Sequence, residues 1–164
     1  MINTKEIYKM AKSIGLGAEC KAEMIQDHSL KKLGEMYFKG SDWSMEHDFP
    51  NLKILRDLKG QTEQYGLFTD CIGEIPTVNK MAFFGNSNVV LTYSGFSVSE
   101  IIIRHDTKAK IVAKDYSYLV VNVLDSADVE IESKDNAKVS VYVYGNSAKI
   151  IGSTDVIIRK SNFE

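Results

Sequence analysis

Asp115, Asp125, Asp135 and Asp155 fall on one ten-residue grid, and a ladder of carboxylates at fixed spacing is the first feature of this chain that could do chemistry. The chemistry would be calcium binding, which needs about six to eight oxygen ligands around the ion. A calcium-binding β-roll supplies them from a Gly-rich nonapeptide with its Asp at a set offset, and these decads have neither that glycine content nor that period. Aspartate is also a preferred turn residue, because its carboxylate accepts from nearby backbone N–H groups, and that role accounts for all four without a metal. Cys20, His28, His47 and Cys71 carry the donors that suit zinc, yet their spacing matches no finger or ribbon. Glu46-His47-Asp48 beside Trp43 has the composition of an acid–base cluster, but no nucleophile is fixed near it in sequence, so it reads as a solvated helix end. His105 occupies the same grid position as the aspartates and reads as a turn residue. A phosphate-cradling glycine loop, H-E-x-x-H and G-x-S-x-G are all missing. The expectation is a non-catalytic protein with no cofactor and no metal.

The elements that would position any site fall into two kinds. Residues 1–62 read as a small helical domain. Asn3 or Thr4 caps a first helix with Ile7, Met10, Ala11 and Ile14 on one face, and Gly15 or Gly17 stops it. A second helix follows over 18–25, then a third capped by Ser29 with Leu30, Leu33, Met36 and Tyr37 as its stripe, ended by Gly40. Ser41 and Asp42 open a short helix that Phe49-Pro50 breaks, and Leu52, Ile54, Leu55 and Leu58 make a last amphipathic turn before Gly60. Residues 63–84 read as connecting strands that cap a first coil.

Residues 85–164 repeat every ten. Gly85, Gly95, His105, Asp115, Asp125, Asp135, Gly145 and Asp155 share the turn position. Ser87, Ser97, Thr107, Ser117, Ala127, Ala137 and Ser147 stand two places on, and every one is small. Leu91, Ile101, Ile111, Val121, Ile131, Val141 and Ile151 stand six places on as an aliphatic core column. Ten is even, so a face that points inward in one repeat points inward in the next. A period of twenty lies over this, with Ile103, Val123 and Val143 alternating with Ala113, Ser133 and Ser153. The fold class expected is therefore α+β: the helical domain, then a β-solenoid of decads with two strands per coil. An antiparallel meander is the alternative, since Asp-Asn and Gly-Asn also make hairpin turns.

Outward positions separate two faces. Lys110, Lys114, Glu130, Glu132 and Lys134 form a mixed-charge surface, whereas Ile102, Tyr118, Val120, Leu124, Tyr142 and Tyr144 form an apolar and aromatic one. Such a column marks a contact, either with the chain's own helices or with a partner, and self-association into a homo-oligomer is the favoured closure. Trp43, Tyr65 and Phe68 are the candidate lining of a pocket between the two domains. The outward run Thr92, Ile102, Val112, Asn122, Glu132, Tyr142, Gly152 lacks the matched threonine ladder that ice binding needs.

The chain of 164 residues carries 20 basic and 22 acidic side chains, a formal net charge of −2, so neither nucleic acid nor an anionic membrane is an expected partner. Its hydrophobic share of 44% suffices for a buried core. Two cysteines far apart do not form a disulfide framework, and buried free thiols are expected. No spanning segment or signal peptide is read, so the expected location is the cytoplasm.

Residues 41–52, Ser41-Asp42-Trp43-Ser44-Met45-Glu46-His47-Asp48-Phe49-Pro50-Asn51-Leu52, with Leu55-Arg56 and then Tyr65-Gly66-Leu67-Phe68-Thr69-Asp70, resemble an uncharacterised family of small prophage and mobile-element proteins of gut Bacteroidetes. That family has a helical N-terminal segment with a W-x-x-x-x-x-F-P-type motif and C-terminal β repeats. The resemblance implies a phage or mobile-element setting in a bacterial host, in the cytoplasm or associated with the virion. It assigns no catalytic residue; Trp43, Phe49 and Pro50 would be fold-determining.

Overall fold

The structure is a computed structural model that describes residues 2–164. The chain divides into two compact units, a helical one up to Leu67 and a β unit from Phe68 to Asn162.

In the helical unit, α1 (Thr4–Ser13) opens on a capping box. Asn3 accepts from the Glu6 N–H at 3.0 Å, and Glu6 accepts in return from the Asn3 N–H at 3.2 Å. Gly15, at φ 95°, supplies the left-handed stop. The buried face is Ile7, Tyr8 and Ala11; Met10 and Ile14 lie 39% and 42% exposed, a correction to the expected stripe. Tyr8 takes the inward place because at 100° per residue it lies as close to Ile7 and Ala11 as Met10 does. The remaining helices are α2 (Ala18–Gln26), α3 (Leu30–Lys39), α4 (Ser41–Glu46) and α5 (Leu52–Asp57). Ser29 caps α3 by accepting from Lys32 N–H, and Asn51 caps α5 by accepting from Ile54 N–H, each at 3.1 Å. The Phe49–Pro50 bond is cis.

The β unit is a solenoid, and the meander is excluded because the paired strands are parallel. Its strands are β1 (Leu67–Thr69), β2 (Ile72–Glu74), β3 (Lys80–Phe84), β4 (Asn88–Tyr93), β5 (Val98–Ile103), β6 (Lys108–Ala113), β7 (Tyr118–Val123), β8 (Asp128–Ser133), β9 (Lys138–Tyr144), β10 (Lys149–Gly152) and β11 (Ile157–Ser161). One sheet orders the odd strands β1-β3-β5-β7-β9-β11 and the other the even strands β10-β8-β6-β4-β2. Each coil thus takes one strand from each sheet, and the twenty-residue period is the alternation between them. Strands β1 to β3 already belong to these sheets, so the solenoid starts ahead of the first decad.

The core column is as dry as its chemistry requires. Leu91, Ile101, Ile111, Val121, Ile131 and Val141 are 0–2% exposed, each contributing about 1.5–3 kcal/mol by burial. The column fails at its last member, since Ile151 is 70% exposed. The cause is a register slip. Lys108 faces Asp128 twenty residues on, but Asp128 faces Lys149 twenty-one residues on, so the corner at Gly145 holds one extra residue. A one-residue slip exchanges the two faces of a strand, so Ala148 and Ile150 pack against the core in place of Ser147 and Ile151.

The corners explain the other two columns. Gly85, Gly95, His105, Asp115, Asp125, Asp135 and Gly145 all have positive φ, between 55° and 77°. Glycine takes that region freely, and Asp, Asn and His enter it more readily than other side chains. The small residues fit beneath. Ser87 and Ser117 donate their hydroxyls to the Phe84 and Lys114 carbonyls at 2.7 and 2.8 Å, bracing the corner from within.

Candidate functional site

Asp115, Asp125 and Asp135 act across coils rather than within their own turn, whereas Asp155 departs from the expected grid: its φ is not positive and it accepts locally from the Ser153 hydroxyl at 2.9 Å. Asp115 Oδ2 accepts from the Gly95 N–H at 2.7 Å, and Asp135 Oδ2 accepts from the Asp115 N–H at 3.2 Å. On the opposite edge the Gly85 N–H donates to His105 Nδ1 at 3.1 Å, and Asp125 Oδ2 accepts from the His105 N–H at 2.9 Å. Each such side chain ties its corner to the one beneath it. Asp125 Oδ2 also accepts from Arg104 Nε at 3.1 Å, a guanidinium whose side chain is only 5% exposed. Among the described residues no group of three or more His, Cys, Asp or Glu is placed to hold a metal ion.

The sheet of odd strands carries the apolar face read from the sequence. Ile102 and Leu124 are already buried in the single chain, at 0% and 3% exposure, so they offer no surface to a partner. Val120, Tyr142 and Tyr144 are half-buried, and Tyr118 is 41% exposed. Ile102, Asn122 and Tyr142 lie in one row across three strands, while Val120 lies in another between Glu100 and Ser140, so the six do not form a single column. The sheet of even strands bears the charges expected, with Lys108 opposite Asp128 and Lys110 opposite Glu130.

The more exposed apolar surface is at the corners that lead into the odd strands. Phe96 is 88% exposed and stacks on Tyr116 of the next coil, ring centres 4.7 Å apart and planes within 3° of parallel. Val98, 71% exposed, faces Tyr118 two residues on in the same two coils. The sequence reading named Tyr118 and missed Phe96, Val98 and Tyr116. Their signal was the twenty-residue period, which brings 96 over 116 and 98 over 118.

Trp43 and Tyr65 belong to the helical unit and Phe68 to the β unit. Phe68 stacks on Phe83 at 5.1 Å against the solenoid core. Tyr65 lies against Gly34, where an added Cβ would come within 2.8 Å of the Tyr65 Cβ. Trp43 lines a partly open cavity of about 180 Å³ inside the helical unit, together with Leu16, Met24, Leu33, Met36 and Phe49. Its ring is held by His47, stacked at 4.6 Å, and by the edge of Phe49 at 5.7 Å. His47 Nδ1 is 2.9 Å from the Trp43 carbonyl oxygen, which places the supposed acid–base cluster at a helix end. Cys20 also lines the cavity, and burial pushes its thiol above the ordinary value. Neither Cys20 nor Cys71 forms a disulfide, and both are half-buried rather than buried as expected.

No helix among the described residues is long and apolar enough to cross a membrane. No family model, curated protein or solved structure matches the chain.

Proposed function

We propose that the chain is a non-catalytic protein-interaction module in which the solenoid is a rigid platform and its aromatic corner edge is the contact surface. The observation that carries this reading is the group Phe96, Val98, Tyr116 and Tyr118, four large apolar side chains between 41% and 88% exposed on two successive coils. A soluble fold gains nothing from leaving such residues in water, and stacked aromatics lose little conformational entropy on docking. Tyrosine and phenylalanine are also enriched at protein contacts. The partner is a protein, with a second copy of this chain as the favoured one, and neither nucleic acid nor membrane. The setting is a bacterial cytoplasm or virion, in line with the mobile-element resemblance.

The test is light scattering on the chain and on a Phe96→Ser/Tyr116→Ser variant, followed by crosslinking in a host lysate. We expect an oligomer, or a crosslinked protein partner, that the variant loses while its melting temperature holds. Identical behaviour of the two proteins in both assays would overturn the reading.

A second reading, an inhibitor or sponge acting on a host defence protein or its signalling molecule, draws on the cavity of the helical unit. No charged residue lines that cavity, which argues against an anionic nucleotide as its occupant.

A further inference from the structure

We propose that the cavity of the helical unit is a binding site for a small, uncharged aromatic or branched apolar molecule that carries one hydrogen-bond acceptor. Size sets the first limit. An apolar cavity of about 150 Å³ suffices for benzene, so about 180 Å³ accommodates one ring with a short substituent. Chemistry sets the second, because Leu16, Met24, Leu33 and Met36 supply an apolar wall, and two methionines adapt to an irregular guest.

The acceptor requirement rests on Trp43. Its Nε1 is buried and has no hydrogen-bond partner among the described residues. A buried N–H without an acceptor is destabilising, and the stack on His47 and the edge contact with Phe49 hold the indole in place. A guest carbonyl or ether oxygen would remove that penalty. Charged guests are disfavoured because no lining side chain would compensate them. This site lies wholly in the helical unit, so it stands independently of the platform function proposed for the solenoid.

Three probes separate these requirements: acetophenone, which has a ring and one acceptor; ethylbenzene, which has the ring alone; and benzoate, which is charged. Trp43 is the single tryptophan, so its indole N–H gives one side-chain signal in a proton–nitrogen NMR spectrum. Acetophenone should bind, raise the melting temperature and move that signal downfield, with an affinity several-fold to about tenfold above that of ethylbenzene. Benzoate should not bind at neutral pH. Trp43→Phe should keep ethylbenzene binding and lose the preference for acetophenone. Gly17→Phe should abolish binding of both without unfolding, because Gly17 lines the cavity at φ −61° and a Cβ added there meets no atom within 4 Å. No acetophenone binding by the folded wild-type protein at millimolar concentration, or binding unchanged in Gly17→Phe, overturns the site. Equal affinity for acetophenone and ethylbenzene in the wild-type protein overturns the role of Trp43.

Discussion

Replacing Asp125 by glycine should destabilise the solenoid more than the same change at any other corner. Glycine takes the positive φ of 57° more easily than aspartate, so the backbone change relieves strain and works against the expected loss. What disappears is one carboxylate oxygen that accepts from the His105 N–H at 2.9 Å and from Arg104 Nε at 3.1 Å. A hydrogen bond to a charged group is worth about 1.5–3 kcal/mol net. The ion pair with Arg104 adds little beyond these bonds, because the Asp125 side chain is 39% exposed and Arg104 keeps other interactions. The expected cost is about 2–3 kcal/mol. Asp115→Gly loses only the bond from the exposed Gly95 N–H and should cost about 1–2 kcal/mol. Asp106→Gly is the control, since that exposed residue changes the entropy of the unfolded chain without touching the ladder, at about 0.5–1 kcal/mol. Urea unfolding followed by circular dichroism would measure all three. The midpoints should fall in the order Asp106, Asp115, Asp125, with unchanged slopes. An Asp125→Gly variant no less stable than Asp106→Gly would show that the cross-coil bonds contribute nothing.

The register slip predicts that Ile151→Asp changes stability by less than about 0.5 kcal/mol, whereas Ile111→Asp or Val141→Asp prevents folding; soluble Ile111→Asp protein with unaltered melting would refute the inward column. In the helical unit Lys39 hydrogen-bonds Glu23 and holds its carboxyl below the ordinary 4.5. A depressed carboxyl contributes stability that is present above its unfolded pKa and lost as pH falls through the folded one. Lys39→Met should therefore flatten the acid limb of a melting curve measured below about pH 4.5, and an unchanged limb would dismiss the pairing. Burial pushes the Tyr93 hydroxyl well above its ordinary 10.0, so stability should fall as pH rises past that value, where the unfolded chain ionises first. Tyr93→Phe should remove that alkaline step in a pH series of melting temperatures.

The repeat was legible in the sequence because its causes are local. A turn position that demands positive φ accepts few residue types, and Gly, Asp and His at 85 to 145 meet that demand whatever the chain does elsewhere. Side-chain alternation in a strand is equally local, which is why Leu91 through Val141 could be assigned inward from spacing alone. The helix caps at Asn3 and Ser29 were readable for the same reason. Tertiary structure decided whatever depends on residues far apart in the chain. Parallel stacking chose the solenoid over the meander, and it turned Asp115, Asp125 and Asp135 from turn residues into ties between corners twenty residues apart. One added residue at the Gly145 corner sent Ile151 outward, and no local rule marks an insertion that leaves the hydrophobic pattern intact. Burial of Ile102 and Leu124, exposure of Phe96 and Tyr116, and the cavity around Trp43 follow from packing between segments whose own composition does not record their neighbours.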